Sequence, residues 1–310
     1  MGFGGGAVLI TAAASSAYYT ATLLSGLQGP EHKTYLDIAN SCLEGGRHHR
    51  DWLIIVFQLL VMFPTSCVMI LLGGEAMQTI DLMVEGAAVS YSECGGYKFD
   101  CSCEKLSKQV WTIIMGSIVL VLSMTKDMEG VWQISALGTI SVFVIVGYCI
   151  IGSIIALANP EYTPGYDAME CLVPGDAYAA ELLTAFGSII FGYGFHAVVP
   201  DIQASLHSSG STNTQKDMKK AITSAFSVAL PAYLVIALLG FAAFGVNVAS
   251  DMLLSMTFLV SQSAMYVVWA FVILKTGTEA VIYNQVRIDS VYCSRNQKIF
   301  STIYARAYKT

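Results

Sequence analysis

Charged residues are scarce in this sequence. Asp, Glu, Lys and Arg make up 12% of its 310 residues, whereas a soluble domain carries about 25%. Hydrophobic residues make up 55%, and the mean hydropathy is +0.60. Because this apolar surplus is too large for one aqueous core, we expect lipid to be the solvent. The net charge is −6 and no basic stripe is present, which excludes a nucleic-acid partner.

Signals for processing and for catalysis are also missing. No basic residue precedes Lys33, so the N-terminus lacks the positive region of a secretory signal. No Asn-x-Ser/Thr sequon occurs, which predicts no N-linked glycan. No paired acid and base and no metal-ligand spacing lies in any long apolar segment. We therefore predict no enzyme activity, no bound metal and no organic cofactor.

What the sequence does have is a series of long apolar runs. A helix needs about 20 predominantly apolar residues to cross a bilayer. Seven windows meet or approach this length, which predicts an all-α polytopic membrane protein. We place them at Gly5–Leu27, Trp52–Leu72, Val110–Met124, Val131–Ala158, Tyr178–Val199, Ala221–Phe244 and Leu253–Leu274.

The basic residues test this number of spans. Loops on the cytoplasmic side of a membrane carry the excess of Lys and Arg. With seven spans, 13 of the 16 basic residues fall on one side of the membrane. The other three, Lys98, Lys105 and Lys108, fall in one connection on the opposite side. This asymmetry predicts an N-terminus outside and a C-terminal tail inside.

Four cysteines fall in the predicted outside loops, where disulfides persist. They are Cys94, Cys101, Cys103 and Cys171. One interpretation is a disulfide from Cys171 to one of the other three, which would join two outside loops. The other is that all four are free thiols, because sequence alone does not fix connectivity. Cys67 and Cys149 lie within spans and are predicted to be packing residues.

The fifth span carries the most informative motif, a run with two glycines two residues apart. It comprises Phe191, Gly192, Tyr193, Gly194, Phe195 and His196, and Pro200 lies four residues further on. Each glycine lowers helix propensity by about 1 kcal/mol, so the run predicts an interrupted helix. The broken ends would expose backbone groups able to bind a substrate's charges. The alternatives are a close helix contact at the glycines and, for His196, a hydrogen-bonded core histidine in place of a proton carrier.

Two charged residues, Lys275 and Glu279, lie just after the last window, four residues apart. Their spacing suits an ion pair on one helix face. One interpretation places this pair inside the membrane. The other places it at the cytoplasmic interface, where a lysine side chain can reach water.

The glycine run and the ten residues after it resemble a known family. From Phe191 to Leu206 the sequence is similar to the sixth helix of amino acid/auxin permeases. Asp201 stands where members carry Glu, and Phe195 stands where a Gly is usual. The positions that match are His196, Val198, Val199, Ile202, Gln203 and Ala204. Weaker similarities to the family's second, third and seventh helices occur in the right order between residues 6 and 245.

The resemblance implies a fold and a function. Members form a LeuT-like bundle of about eleven helices, and the seven spans would be the second to the eighth. Residues 1–285 would be a partial transporter domain, and residues 286–310 a cytoplasmic tail that is either native to the family or foreign to it. The implied function is secondary active transport of amino acids coupled to protons or sodium, in the plasma membrane or a vacuolar or lysosomal membrane. Since the family's first helix supplies half of the site, we expect this chain alone to be impaired.

Two other classes are compatible with seven spans. A short isoform that only binds a partner would have the same helices, and an uptake assay separates it from a transporter. A seven-helix receptor has the same topology. However, Met124–Met128 stands where receptors carry Asp/Glu-Arg-Tyr, and Tyr283–Val286 stands where they carry Asn-Pro-x-x-Tyr. The amino acid carried and the oligomeric state are not predicted.

Overall fold

The computed structural model describes residues 3–29, 35–42, 47–84, 88–92, 96–100, 106–124, 132–159, 176–208, 213–245, 248, 251–257 and 259–307. Its elements are mostly helices: α1 Phe3–Leu27, α2 Tyr35–Cys42, α3 Arg47–Val84, α4 Lys108–Leu122, α5 Trp132–Ala158, α6 Asp176–Gly192, α7 Val199–Ser208, α8 Thr214–Phe244, α9 Met252–Ser255 and α10 Gln262–Ala307. A 3-10 turn, Phe195–Val198, lies between α6 and α7.

The helices confirm an all-α polytopic membrane protein. Among the described residues, five helices are long and apolar enough to cross a membrane, at residues 4–27, 52–84, 133–158, 214–244 and 262–285. Two shorter apolar helical segments, Lys108–Leu122 and Leu183–Gly192, overlap the remaining two predicted windows. Large apolar side chains point outward from the bundle; Phe57 and Ile113 are 65% and 68% exposed. This arrangement suits contact with lipid.

Many of the buried polar side chains are hydroxyls bonded to their own helix. Ser141 and Ser153 are fully buried, and each donates to the carbonyl four residues earlier, at 2.8 and 2.7 Å. A hydroxyl bonded in this way is satisfied without water, which lipid cannot supply. Within the described residues, Cys67 and Cys149 are free thiols. The disulfide candidates Cys94, Cys101, Cys103 and Cys171 lie outside the described residues.

Two features differ from the sequence prediction. A β-hairpin pairs β1 Ala88–Ser92 with antiparallel β2 Gly96–Asp100 between α3 and α4, and no strand was predicted there. The last window, predicted at Leu253–Leu274, was misplaced because Leu253 belongs to a separate short helix. Asp251 Oδ1 caps that helix by accepting from the Leu253 N–H at 2.9 Å. The membrane-spanning part of α10 then runs from Gln262 to Gln285.

The bundle packs around α10, which lies mainly against α3 and α5, while α1 lies mainly against α8. Glycines allow the closest approach between α3 and α4. A Cβ atom added at Gly74 would lie 2.6 Å from Thr112 Oγ1 and 2.7 Å from Thr112 Cα. The backbone of α4 therefore occupies the space that any larger residue at this position needs.

This contact predicts a cost for Gly74→Ala. The methyl group would push α3 and α4 apart, and we expect a loss of about 1–3 kcal/mol of stability. The matched control is Gly147→Ala in α5, where no described atom lies within 4 Å of the added methyl. That change should leave stability equal or higher. Thermal unfolding of the two purified variants in detergent measures the difference, and equal melting temperatures would contradict the packing.

Candidate functional site

The predicted interruption is present in the structure. Helix α6 ends at Gly192, and its last turn tightens, since the N–H groups of Tyr193 and Gly194 donate to carbonyls three residues earlier at 3.1 and 3.0 Å. The 3-10 turn comes next, and α7 begins at Val199. Pro200 is the second residue of α7, where its fixed φ and missing N–H are tolerated.

The two glycines act differently in this break. A Cβ at Gly194 would lie 3.2 Å from the carbonyl oxygen of Phe191, so the tight turn favours glycine there. No described atom lies within 4 Å of a Cβ at Gly192. Within the described chain, close contact with a neighbouring helix therefore does not explain why position 192 is glycine. The high conformational freedom of glycine, which weakens the helix end, explains it.

Tyr193 is the most enclosed residue of the break, with 6% of its surface exposed. Its ring stacks on Phe226 at a centroid distance of 6.1 Å and meets Tyr233 edge-on at 5.4 Å, both from α8. Ala14 and Ala17 of α1 complete the apolar cluster around it. The Tyr193 hydroxyl is buried and has no hydrogen-bond partner among the described residues. It is therefore a polar atom available to a ligand.

His196 ties the 3-10 turn to α1. Its Nε2 lies 3.0 Å from the Ala17 carbonyl oxygen and 2.6 Å from Thr20 Oγ1. Because a carbonyl oxygen only accepts, Nε2 carries the hydrogen. The Thr20 hydroxyl donates to Ser16 O at 2.9 Å and can accept from His196. These contacts are those of a hydrogen-bonded positioning residue; a proton-carrying role for His196 stays a prediction.

Phe195 faces the other half of the bundle as well. Its ring stacks on the His196 ring at 5.1 Å and lies 5.6 Å from Phe226. It also packs against a cluster formed by Met62 of α3 and Val198. Ile282 and Tyr283 of α10 pack against the same cluster. The bulk of Phe195 is thus taken up by packing between the 3-10 turn, α3 and α10.

Hydrogen bonds made by glutamine side-chain amides connect α7 to α1. They were not predicted from the sequence. Ser25 Oγ donates to Gln203 Oε1 at 2.7 Å, and Gln203 Nε2 donates to the Ser25 carbonyl oxygen at 3.1 Å. Gln28 Nε2 donates to the Pro200 carbonyl oxygen at 2.8 Å, and Gln215 Nε2 donates to the Gln28 carbonyl oxygen at 2.9 Å. The available sequence signal for these bonds was Gln203, because it belongs to the run that carries the family resemblance. These bonds hold the chain just after the break in place.

A separate set of charged residues comprises an ion pair between α3 and α4 and Asp251, the residue before α9. Lys108 Nζ and Glu75 Oε2 form an ion pair at 2.9 Å between α4 and α3. Burial raises the pKa of the Asp251 carboxyl, the hydrogen bond from the Leu253 N–H lowers it, and the nearby Glu75 charge raises it further. No group of three or more His, Cys, Asp or Glu suited to a metal occurs in the part of the chain that the structure describes.

Comparison with known proteins agrees with the architecture. The family model for transmembrane amino acid transporter protein matches residues 1–301. Lysine histidine transporter-like 4 of Arabidopsis thaliana is 28% identical over 210 residues, which is 66% of this chain and 42% of that protein. Amino acid permease 4 of the same plant is 26% identical over 247 residues, or 76% of this chain and 50% of the permease.

A third relative, Amino acid permease 8 of Arabidopsis thaliana, is 27% identical over 267 residues, covering 82% of this chain and 52% of the permease. The chain therefore spans about half the length of the curated relatives it matches. No solved structure matches the chain.

The Tyr193 hydroxyl yields a stability prediction. Tyr193→Phe removes a buried polar atom that has no described partner, so stability should stay the same or rise by up to about 1 kcal/mol. Tyr18→Phe is the matched control, because the Tyr18 hydroxyl lies 3.1 Å from Thr223 Oγ1. It should lose about 0.5–1.5 kcal/mol. Melting temperatures in detergent check both, and destabilisation by Tyr193→Phe would show that this hydroxyl is already bonded.

Asp251 yields a pH prediction. Its pKa is raised in the folded protein, so the ionised carboxyl destabilises the fold above that pKa, and the penalty vanishes below the unfolded value of about 3.9. Asp251→Asn keeps an oxygen for the Leu253 N–H and carries no charge. The variant should melt at a higher temperature than the parent at pH 7, and the gain should disappear as the pH falls towards about 4. A gain that is constant with pH would contradict the assignment.

Proposed function

The chain belongs to the transmembrane amino acid transporter family, and on that premise we propose that the protein moves amino acids across a membrane by secondary active transport, coupled to protons or sodium. Proteins in its family include Arabidopsis relatives whose names denote amino acid permeases and lysine histidine transporter-like proteins. The proposal that amino acids, among them lysine and histidine, are the substrates rests on the names of those relatives.

The observation that carries the proposal is the helix break at Tyr193 and Gly194, with a buried hydroxyl that lacks a described partner. A broken helix presents backbone N–H and C=O groups at its ends, where they suit a carboxylate and an ammonium group. An amino acid carries both charges. The Tyr193 hydroxyl supplies a further hydrogen-bonding atom at the same place.

We assign the substrate site to the six residues from Phe191 to His196. Gly192 and Gly194 permit the break, and Tyr193 provides the hydroxyl. Phe195 and His196 hold the 3-10 turn against the two sides of the bundle, through the Met62–Val198 cluster and through α1. Phe191 lies in the last turn of α6, and its side chain is exposed.

We further propose seven spans with the N-terminus outside and the tail inside. The five long apolar helices, the two shorter ones and the asymmetry of the basic residues support this topology. The two membranes that suit it are the plasma membrane and the membrane of a vacuole or lysosome. Reporter fusions at the two ends of the chain test the orientation.

Binding of amino acids to the purified chain tests the function. Saturation-transfer difference NMR on the chain in nanodiscs detects weak ligands, and a panel of L-amino acids should include binders. Tyr193→Phe should weaken binding about three- to tenfold, the effect of losing one hydrogen bond, whereas Tyr18→Phe should not. Uptake into proteoliposomes under an imposed proton or sodium gradient then identifies the coupling ion. A folded chain that binds no amino acid would overturn the proposal.

A further inference from the structure

The only two charged residues of the last span, Lys275 and Glu279, form an ion pair with each other. Lys275 Nζ and Glu279 Oε2 lie 3.0 Å apart, one helical turn from each other on α10. The apolar span runs from Gln262 to Gln285, so Lys275 lies roughly 20 Å from its first residue and roughly 15 Å from its last along the helix axis. Both charges thus fall within this apolar segment, with Glu279 roughly 9 Å from Gln285 along the axis.

Stability alone is a weak reason for such a pair. The two side chains are 28% and 34% exposed, so most of the surface of each side chain is buried within the protein. Removing two charges from water costs free energy that their attraction offsets only in part, and apolar replacements of buried pairs are often neutral or stabilising. Ionisable residues within a span usually take part in function. The residues that share a face of α10 with the pair indicate what that function is.

Lys275 and Glu279 share one face of α10 with Ile282 and Tyr283, since the spacings of three, four and seven residues bring them together. Ile282 and Tyr283 pack against the Met62–Val198 cluster, which Phe195 of the break also contacts.

The other faces of α10 are occupied by different helices. Thr276 lies against Gly73 of α3, and Thr278 lies against Gly138 of α5. Ala280 and Val281 are fully buried in a cluster with Met69 and Met115. Ala280 and Val281 therefore face away from the charges, while the charged side itself meets α3 at Met62.

The charged pair is thus on the side of α10 that contacts the Met62–Val198 cluster at the helix break, with Glu279 about one turn and Lys275 about two turns before Tyr283. We propose that Lys275 and Glu279 form a zwitterion subsite, in which Lys275 binds the carboxylate of an amino acid and Glu279 binds its ammonium group. This inference rests on the proposed function and names two substrate contacts outside the broken helix.

The chemistry of the subsite is an exchange of ion pairs. Without substrate, each charge neutralises the other, which keeps both tolerable within the span. When an amino acid enters, its two opposite charges replace the partner of each side chain, so one pair is given up and two are formed. A molecule with only one of the two charges leaves Lys275 or Glu279 without a partner. The subsite therefore selects for molecules that carry both charges.

Analogues that lack one charge test this directly. Binding of L-alanine, of L-alaninamide, which has no carboxylate, and of propionate, which has no ammonium group, is measured by saturation-transfer difference NMR on the full chain in nanodiscs. Lys275→Met should weaken L-alanine binding about 10- to 100-fold and strengthen L-alaninamide binding, because Glu279 no longer gives up an ion pair to bind the ammonium group. Glu279→Gln should weaken L-alanine and L-alaninamide binding and strengthen propionate binding, because Lys275 then has no pair to give up. Lys275→Arg should restore part of the affinity for L-alanine.

A charge swap separates binding from folding. Lys275→Glu combined with Glu279→Lys keeps an ion pair at the same spacing, so the melting temperature should stay close to that of the parent while L-alanine binding falls by about tenfold or more. The matched control swaps Glu75 and Lys108, a pair about half exposed on both sides, and should leave binding unchanged.

The outcomes distinguish the two proposals. If the parent chain binds amino acids and the swapped variant binds them equally well, the pair is structural and the subsite is refuted while the proposed function stands. If the single variants lower the affinity for all three probes to the same extent, charge recognition at these residues is also refuted. If the folded parent binds neither L-alanine nor any other amino acid, the proposed function itself fails.

Discussion

Lipid supplies no hydrogen bonds, so every backbone group within the membrane needs a partner from the protein. A continuous helix meets this requirement by itself, and a broken one does not. The chain breaks at Tyr193 and Gly194, and the surrounding structure is arranged to tolerate that break. The final turn of α6 tightens, and the Pro200 carbonyl just beyond the break accepts from Gln28. A polar interruption at this depth is therefore supported by bonds from neighbouring segments.

The break also joins two parts of the bundle. On one side, Tyr193 and His196 contact α1 and α8 through an aromatic cluster and the bonds to Ala17 and Thr20. On the other side, Phe195 and Val198 meet Met62 of α3, together with Ile282 and Tyr283 of α10. A displacement of the 3-10 turn would thus disturb both sides at once. This position suits a site where a substrate is held between helices.

Sequence patterns predicted the break well because their causes are local. Two glycines and a proline weaken a helix wherever it lies, and residues 191–200 show them without knowledge of any neighbour. The start of the last span was predicted poorly. A hydropathy window registers apolar residues but not the carboxylate cap that Asp251 provides to α9, so the window began at Leu253 rather than Gln262. The paired strands at residues 88–92 and 96–100 were not predicted because they lie in a connection between apolar windows.

By itself the sequence determined that the chain lies in a membrane, where its apolar segments run, which family it resembles and where one helix breaks. Each of these depends on composition or on residues close together in the chain. Only the tertiary structure decided what holds the break, since Ser25 and Gln203 lie 178 residues apart. It also decided which way the Lys275–Glu279 pair faces. That direction comes from the contacts of Ile282 and Tyr283 with a different helix, and no local pattern encodes which neighbour a helix face will meet.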